Sequence, residues 1–116
     1  MEVDDIQAFI PSKEYEQSKT FYTDLGFSGK YLTDDLTLFS SGECSFFLQR
    51  FYNKYLAENI MFQLSVLDIE AAFKIANQSQ HKTKITPIKQ EYWGKIFHLW
   101  GPSGERCHVT QSAVAH

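Results

Sequence analysis

Ser41-Gly42-Glu43-Cys44-Ser45-Phe46-Phe47-Leu48-Gln49 and Ser103-Gly104-Glu105-Arg106-Cys107-His108-Val109-Thr110-Gln111 are two spellings of one phrase. Each has a small-residue turn, a glutamate, and a strand-forming run that ends in glutamine. They stand about half of the 116-residue chain apart. A second echo precedes them at a similar separation, where Glu14-Tyr15-Glu16 answers to Asp68-Ile69-Glu70. A period of half the chain reads as two similar modules packed together, not as a solenoid array. Two modules imply a cleft between them, and the function is to be sought there.

Working outward, Ile6, Ala8 and Ile10 alternate with Asp5, Gln7 and Phe9, the period of a half-buried strand. Pro11 ends that strand, and Ser12 is placed to cap the helix that follows. Tyr15, Ser18, Phe21, Tyr22 and Leu25 recur at helical spacing, and Gly26 closes the helix. Phe27 to Leu32, Leu36 to Phe39 and Cys44 to Phe51 read as three strands separated by turns. A linker follows, with room for one helical turn, and then the order repeats. Ile60, Phe62, Leu64 and Val66 alternate with Met61, Gln63 and Ser65. Asp68 caps a helix that carries Ile69, Ala72, Phe73 and Ala76 on one face. Thr83 to Gln90, Tyr92 to Trp100 and Arg106 to Thr110 supply three more strands, with Pro102-Ser103-Gly104 as the last turn. The chain is then one domain, with module one at about 1–52, the linker at about 53–58 and module two at about 59–112. The tail from Ser112 to His116 is expected to be loose. A helix after only the first strand of each unit is an α+β arrangement and not a Rossmann sheet.

Composition narrows the function classes. Hydrophobic residues make up 43%, which argues against disorder. Ten Phe, six Tyr and two Trp exceed what a small core needs, and a surplus of that kind is what an apolar ligand pocket requires. The net charge of −3 and the lack of any Lys/Arg run leave no footprint for nucleic acid. No apolar stretch reaches the length of a membrane span. The acidic start, Met1 to Asp5, lacks the basic region of a signal peptide, so a cytoplasmic location is expected. Cys44 and Cys107 fall in the two repeated phrases, where equivalent strands of two modules would lie apart, so both should be free thiols. Zinc-type spacing, a P-loop, a nucleophile elbow and a serine triad are all absent from the sequence.

Two further stretches carry a resemblance. One is Ile10-Pro11-Ser12-Lys13-Glu14-Tyr15 followed by Ser18-Lys19-Thr20-Phe21-Tyr22-Thr23-Asp24-Leu25-Gly26-Phe27; the other is Trp93-Gly94 with Gly101-Pro102-Ser103-Gly104. In this order they resemble the glyoxalase/bleomycin-resistance group of the vicinal-oxygen-chelate superfamily, and the Pro-Ser start and the Trp-Gly pair look closest to its bleomycin-binding branch. The chain departs from the family phrase at Glu14, where an aspartate is usual, and at Gly101 and Ser103, which replace the aspartates of Asp-Pro-Asp-Gly. The resemblance implies two βαβββ modules, each curling a mixed sheet around a cleft. It also implies a homodimer with ligand cavities at the interface between chains.

Many members of that superfamily are metal enzymes. By the resemblance, the ligand positions fall here on Gln7, Phe46 or Phe47, Met61 and His108. Phenylalanine offers no donor, and a thioether suits soft copper better than iron, nickel, zinc or manganese. Gln7 and His108 alone would hold such an ion weakly, although His98 could add a third donor. The expectation is therefore no metal and no cofactor, with the ligand positions refitted as an apolar surface.

Strand alternation sorts the remaining candidates. Gln7 and Phe9, Met61 and Gln63, His98 and Trp100, and His108 should face a cleft, with Trp93 at its rim. Each has a packing reading beside the binding one: Phe9, Phe46, Phe47 and Met61 fill cores well, and His98 and His108 can be structural. Taken together they favour a protein that binds and sequesters a planar or aromatic small molecule, an antibiotic among the candidates. A metal-dependent lyase or dioxygenase built on Gln7, His98 and His108 stays open as the alternative. So do a metal-free enzyme with a histidine base, and an interaction module whose cleft is filled by its own side chains.

Overall fold

The first helix forms where apolar residues recur at helical period. In the computed structural model, which describes residues 1–113, α1 (Tyr15–Asp24) buries Tyr15, Ser18, Phe21 and Tyr22 as that period requires. Gly26, at φ 103°, turns the chain beyond its end, and Phe27 N–H bonds back to the Tyr22 carbonyl at 3.1 Å. The start of the helix departs from the sequence reading. Glu14 holds the N-cap position with no side-chain hydrogen bond, and the Ser12 hydroxyl instead donates to the Gln49 carbonyl at 2.7 Å. Ser12 stands two residues too early to reach the first free amides of the helix.

The strands that flank α1 are β1 (Phe9–Pro11), β2 (Ser28–Thr33), β3 (Leu36–Ser41) and β4 (Cys44–Gln49), and they form one mixed sheet in the order β1-β4-β3-β2. β1 is shorter than its alternation suggested. It runs parallel to β4 from the pair Phe9↔Phe47; the Ala8 carbonyl before it still accepts from Phe47 N–H at 2.9 Å, and Ile6 is exposed.

The second half holds α2 (Lys54–Asn59), β5 (Met61–Ser65), α3 (Ile69–Gln78), β6 (Lys84–Ile85), β7 (Lys89–Glu91), β8 (Gly94–Trp100) and β9 (Arg106–Ser112). Its sheet runs β5-β9-β8-β6, with β7 also paired to β8. The fold is thus α+β, with mixed sheets of four and five strands and three helices. Asp68 caps α3 as read, accepting from Ala71 N–H at 3.1 Å. The linker holds a helix of its own, α2, capped by Asn53. The strand expected over 83–90 is broken into β6 and β7 around Pro87, which has no N–H to give a ladder. The tail is not loose at Ser112, which pairs with Gly94 inside β9, nor at Ala113, whose N–H donates to the Trp93 carbonyl at 2.8 Å; the rest of that expectation, residues 114–116, lies outside the described residues.

One core serves both halves. Ile10, Phe39, Phe46 and Leu48 of the first sheet join Phe97, Leu99, Cys107 and Val109 of the second, with Tyr22 of α1 and Ile69 of α3. Phe46 and Phe62 bring the two sheets within 6.5 Å, ring to ring. Around them Tyr22 donates to Glu105 at 2.8 Å, Ser79 donates to Asp24 at 2.8 Å, and Lys13 N–H donates to the Ser103 hydroxyl at 2.8 Å. The contact between halves is packed, and the open ground is the face of each sheet turned away from it. Both cysteines are free: Cys44 is exposed, and burial pushes the Cys107 thiol up to about 12. No helix among the described residues is long and apolar enough to cross a membrane.

Candidate functional site

On the first sheet, strand alternation sends neighbouring residues to opposite faces. Phe46 points into the core, where it stacks on Phe39 at 5.6 Å and meets Tyr22 edge-on at 4.9 Å. Phe46 therefore leaves the set of candidate contacts. Phe47 stays, on the open face, in a cross-strand row with Phe9, Leu38 and Lys30. The rings of Phe9 and Phe47 stack at 4.7 Å with planes 20° apart, and Phe9 is 49% exposed. Gln7 reaches the same face by donating to the Ser45 hydroxyl at 2.6 Å.

The second sheet brings the other candidates together in two adjacent rows. Gln63, His108 and His98 are opposite one another on β5, β9 and β8; Met61, Arg106 and Trp100 form the next row. The His98 and His108 rings lie 4.6 Å apart, and His98 and Trp100 are nearly parallel at 6.0 Å. Arg106 donates to the Met61 sulfur at 2.7 Å, and the Arg106 guanidinium and the Lys84 ammonium stand 5.9 and 4.8 Å from the Trp100 ring centroid. Trp93, just before β8, joins His98, Ile96, Ile88 and Lys89 around a pocket of about 600 Å³. A smaller one of about 270 Å³ lies between Trp100, Met61, Arg106 and Glu58. The sequence reading missed Arg106 and Lys84. Alternation from His108 would have found Arg106, whereas Lys84 needed the β6–β8 register.

Both imidazoles are held below their ordinary value of 6.5. For His98 burial is the first cause, followed by His108 and Arg106; for His108 it is burial and then Arg106. Both are therefore neutral at pH 7, able to donate or accept a hydrogen bond but not a standing charge.

The residues do not fit a superfamily-type metal site. Of Gln7, Phe47, Met61 and His108, Phe47 has no donor and the Met61 sulfur already accepts from Arg106. Phe47 lies on one sheet, with Gln7 bonded beside it to Ser45, and Met61 and His108 lie on the other. Among the described residues no three His, Cys, Asp or Glu side chains gather where they could hold a metal ion.

No protein-family model matches the sequence, and no curated protein sequence matches it. Solved structures do. The chain is similar to a bleomycin-resistance determinant encoded on transposon Tn5, with a TM-score of 0.78 and 16% identity over 97% of this chain and 100% of that one. The fold is that of the bleomycin-resistance proteins. It is equally similar to the bleomycin-binding protein of Streptomyces verticillus complexed with copper(II)-bleomycin, with a TM-score of 0.77 and 18% identity over 96% and 99% of the two chains. TnmS3, an antibiotic-binding protein from a Streptomyces species, superposes with a TM-score of 0.81 and 16% identity over 97% and 99%.

Proposed function

We propose that this protein binds and sequesters a planar or aromatic small molecule, an antibiotic among the candidates, without a metal ion. The observation that carries the reading is the aromatic lining of two open sheet faces. Phe9 and Phe47 are stacked on one, and Trp93, His98 and Trp100 are strung along the other. Each ring stacked on a ligand contributes about 0.5–1.5 kcal/mol beyond its buried area. Gln63 and His108 stand beside that row as hydrogen-bonding groups to orient the ligand. A sequestering protein lowers free ligand by mass action and needs no catalytic group. The likeness to antibiotic-binding proteins supports the same reading at the level of fold.

A homodimer completes the picture. The Phe9–Phe47 face of one chain would cover the His98–Trp100 face of a second, turning two open surfaces into closed cavities. Sedimentation velocity tests this half of the proposal, and a monomer at all micromolar concentrations would end it.

The pair His98–His108 keeps one rival in view, a metal-dependent lyase or dioxygenase with Gln7 supplied by a second chain. Stoichiometric iron, nickel, zinc or manganese in the purified protein would favour it. For the binding reading the test is tryptophan fluorescence against a panel of planar aromatic antibiotics. Saturable quenching is expected, and Trp93→Ala, at a site 37% exposed, should weaken binding about tenfold with the fold intact. A panel without a single quencher defeats the proposal.

A further inference from the structure

Three polar atoms on the open face of the second sheet are shielded from water and have no hydrogen-bond partner among the described residues: Nδ1 of His98, Nε2 of His108 and Nε of Arg106. They are not scattered. His98 faces His108, and in the adjoining row Trp100 faces Arg106. Orphaned groups of this kind are rare because each costs the fold stability, and the two donors of Arg106 and His108, neighbours in alternate positions of β9, point to a ligand that pairs them.

The charge of the patch says which ligand. Among the described residues neither Arg106 nor Lys84 has a carboxylate within ion-pair distance, although both stand over Trp100. Two acids border the face. Glu91 is held by Lys89 at 3.4 Å, and Glu58 forms part of the wall of the smaller pocket. A chain of net charge −3 would attract cations as a whole, but this patch is cationic.

We infer that the ligand is an aromatic acid, with a flat fused-ring body in the pocket between Trp93 and His98 and a carboxylate at Arg106 and His108. The inference rests on the binding function proposed above and adds the ligand's charge and length. As the ligand enters, the Arg106 and His108 side chains turn toward it, so that Arg106 Nε–H donates to one carboxylate oxygen and His108 donates to the other from the tautomer that carries its proton on Nε2. With both imidazoles neutral at pH 7, Arg106 and Lys84 supply the positive charge that an acid meets on this face. From Ile96 at the pocket to Trp100 beside Arg106, β8 advances about 13 Å, the reach of three fused rings with a substituent.

Three probes of one shape test it by calorimetry: anthracene-2-carboxylate, its neutral carboxamide and the cationic 2-aminomethyl analogue. The acid should bind about tenfold tighter than the amide, and more salt should narrow that margin. Arg106→Gln should erase the margin by weakening the acid more than the amide. If the amide or the amine binds as tightly as the acid, or the margin survives Arg106→Gln, the inference is wrong and the binding function stands. If none of the three binds, the inference falls, and the antibiotic panel alone decides the binding function.

Discussion

Glu43 and Glu105 hold the same place in the repeated phrase, and only the second is buried, at 1% exposure. Its carboxylate accepts from the Tyr22 hydroxyl at 2.8 Å and from the Ser103 amide at 2.9 Å. Burial raises the Glu105 carboxyl, against the pull of those hydrogen bonds, and the same burial pushes the Tyr22 phenol well up. The fit is close. A Cβ on Gly101 would stand 2.5 Å from the carboxylate, so only glycine admits it. Glu105→Ala leaves two donors unpaired beside a cavity, and should lower stability in urea unfolding by about 3 kcal/mol. A loss below about 1 kcal/mol would show the contact to be incidental. The raised carboxyl also has a pH signature. The folded state holds that proton more tightly than the unfolded chain, so its contribution is full below 4.5 and is lost as pH climbs through the folded value. Glu105→Gln should lack that slope. The echo of the two glutamates was legible in the sequence. Their divergence was not, because it depends on which turn lands against α1.

At the scale of elements, period-two alternation assigned most faces correctly. Phe9, Met61, Gln63, His98, Trp100 and His108 share faces as alternation grouped them, but those faces are open and turned away from the contact between halves, and are not the walls of a cleft between modules. It could not choose between Phe46 and Phe47, because the internal repeat and the family phrase differ by one place; the parallel register Phe9↔Phe47 makes the choice. The two phenylalanines should therefore respond differently. Phe46→Ala opens a hole between Phe39, Tyr22 and Phe27 and should cost about 4 kcal/mol. Phe47→Ala should cost less than half of that and should weaken ligand binding. Equal losses of stability in the two variants would place both rings in the core. The break at Pro87 was visible as a residue but not as a pocket, since Thr86 and Ile88 line that pocket only through the way β6 and β7 meet β8. The helix in the linker carried too few residues for a period to be read.

For the molecule as a whole, the repeat and the family words gave the architecture, and the solved structures bear it out at the level of fold. What they did not give is where the open surface lies. The halves share one core, so the aromatic surplus is spread over outward-facing sheets and not over a cleft along their contact. Net charge is equally silent about place: a chain at −3 carries on the face of interest Arg106 and Lys84, neither of them ion-paired among the described residues. The proposed function is grip without a metal, by rings and polar side chains on the open sheet faces. The most direct measurement is a tryptophan-fluorescence titration of chelator-stripped protein with a planar aromatic ligand, repeated after iron, nickel, zinc or manganese is returned. Saturable quenching with the same affinity in every sample is expected. Binding that vanishes on stripping and comes back with one of those ions would contradict it.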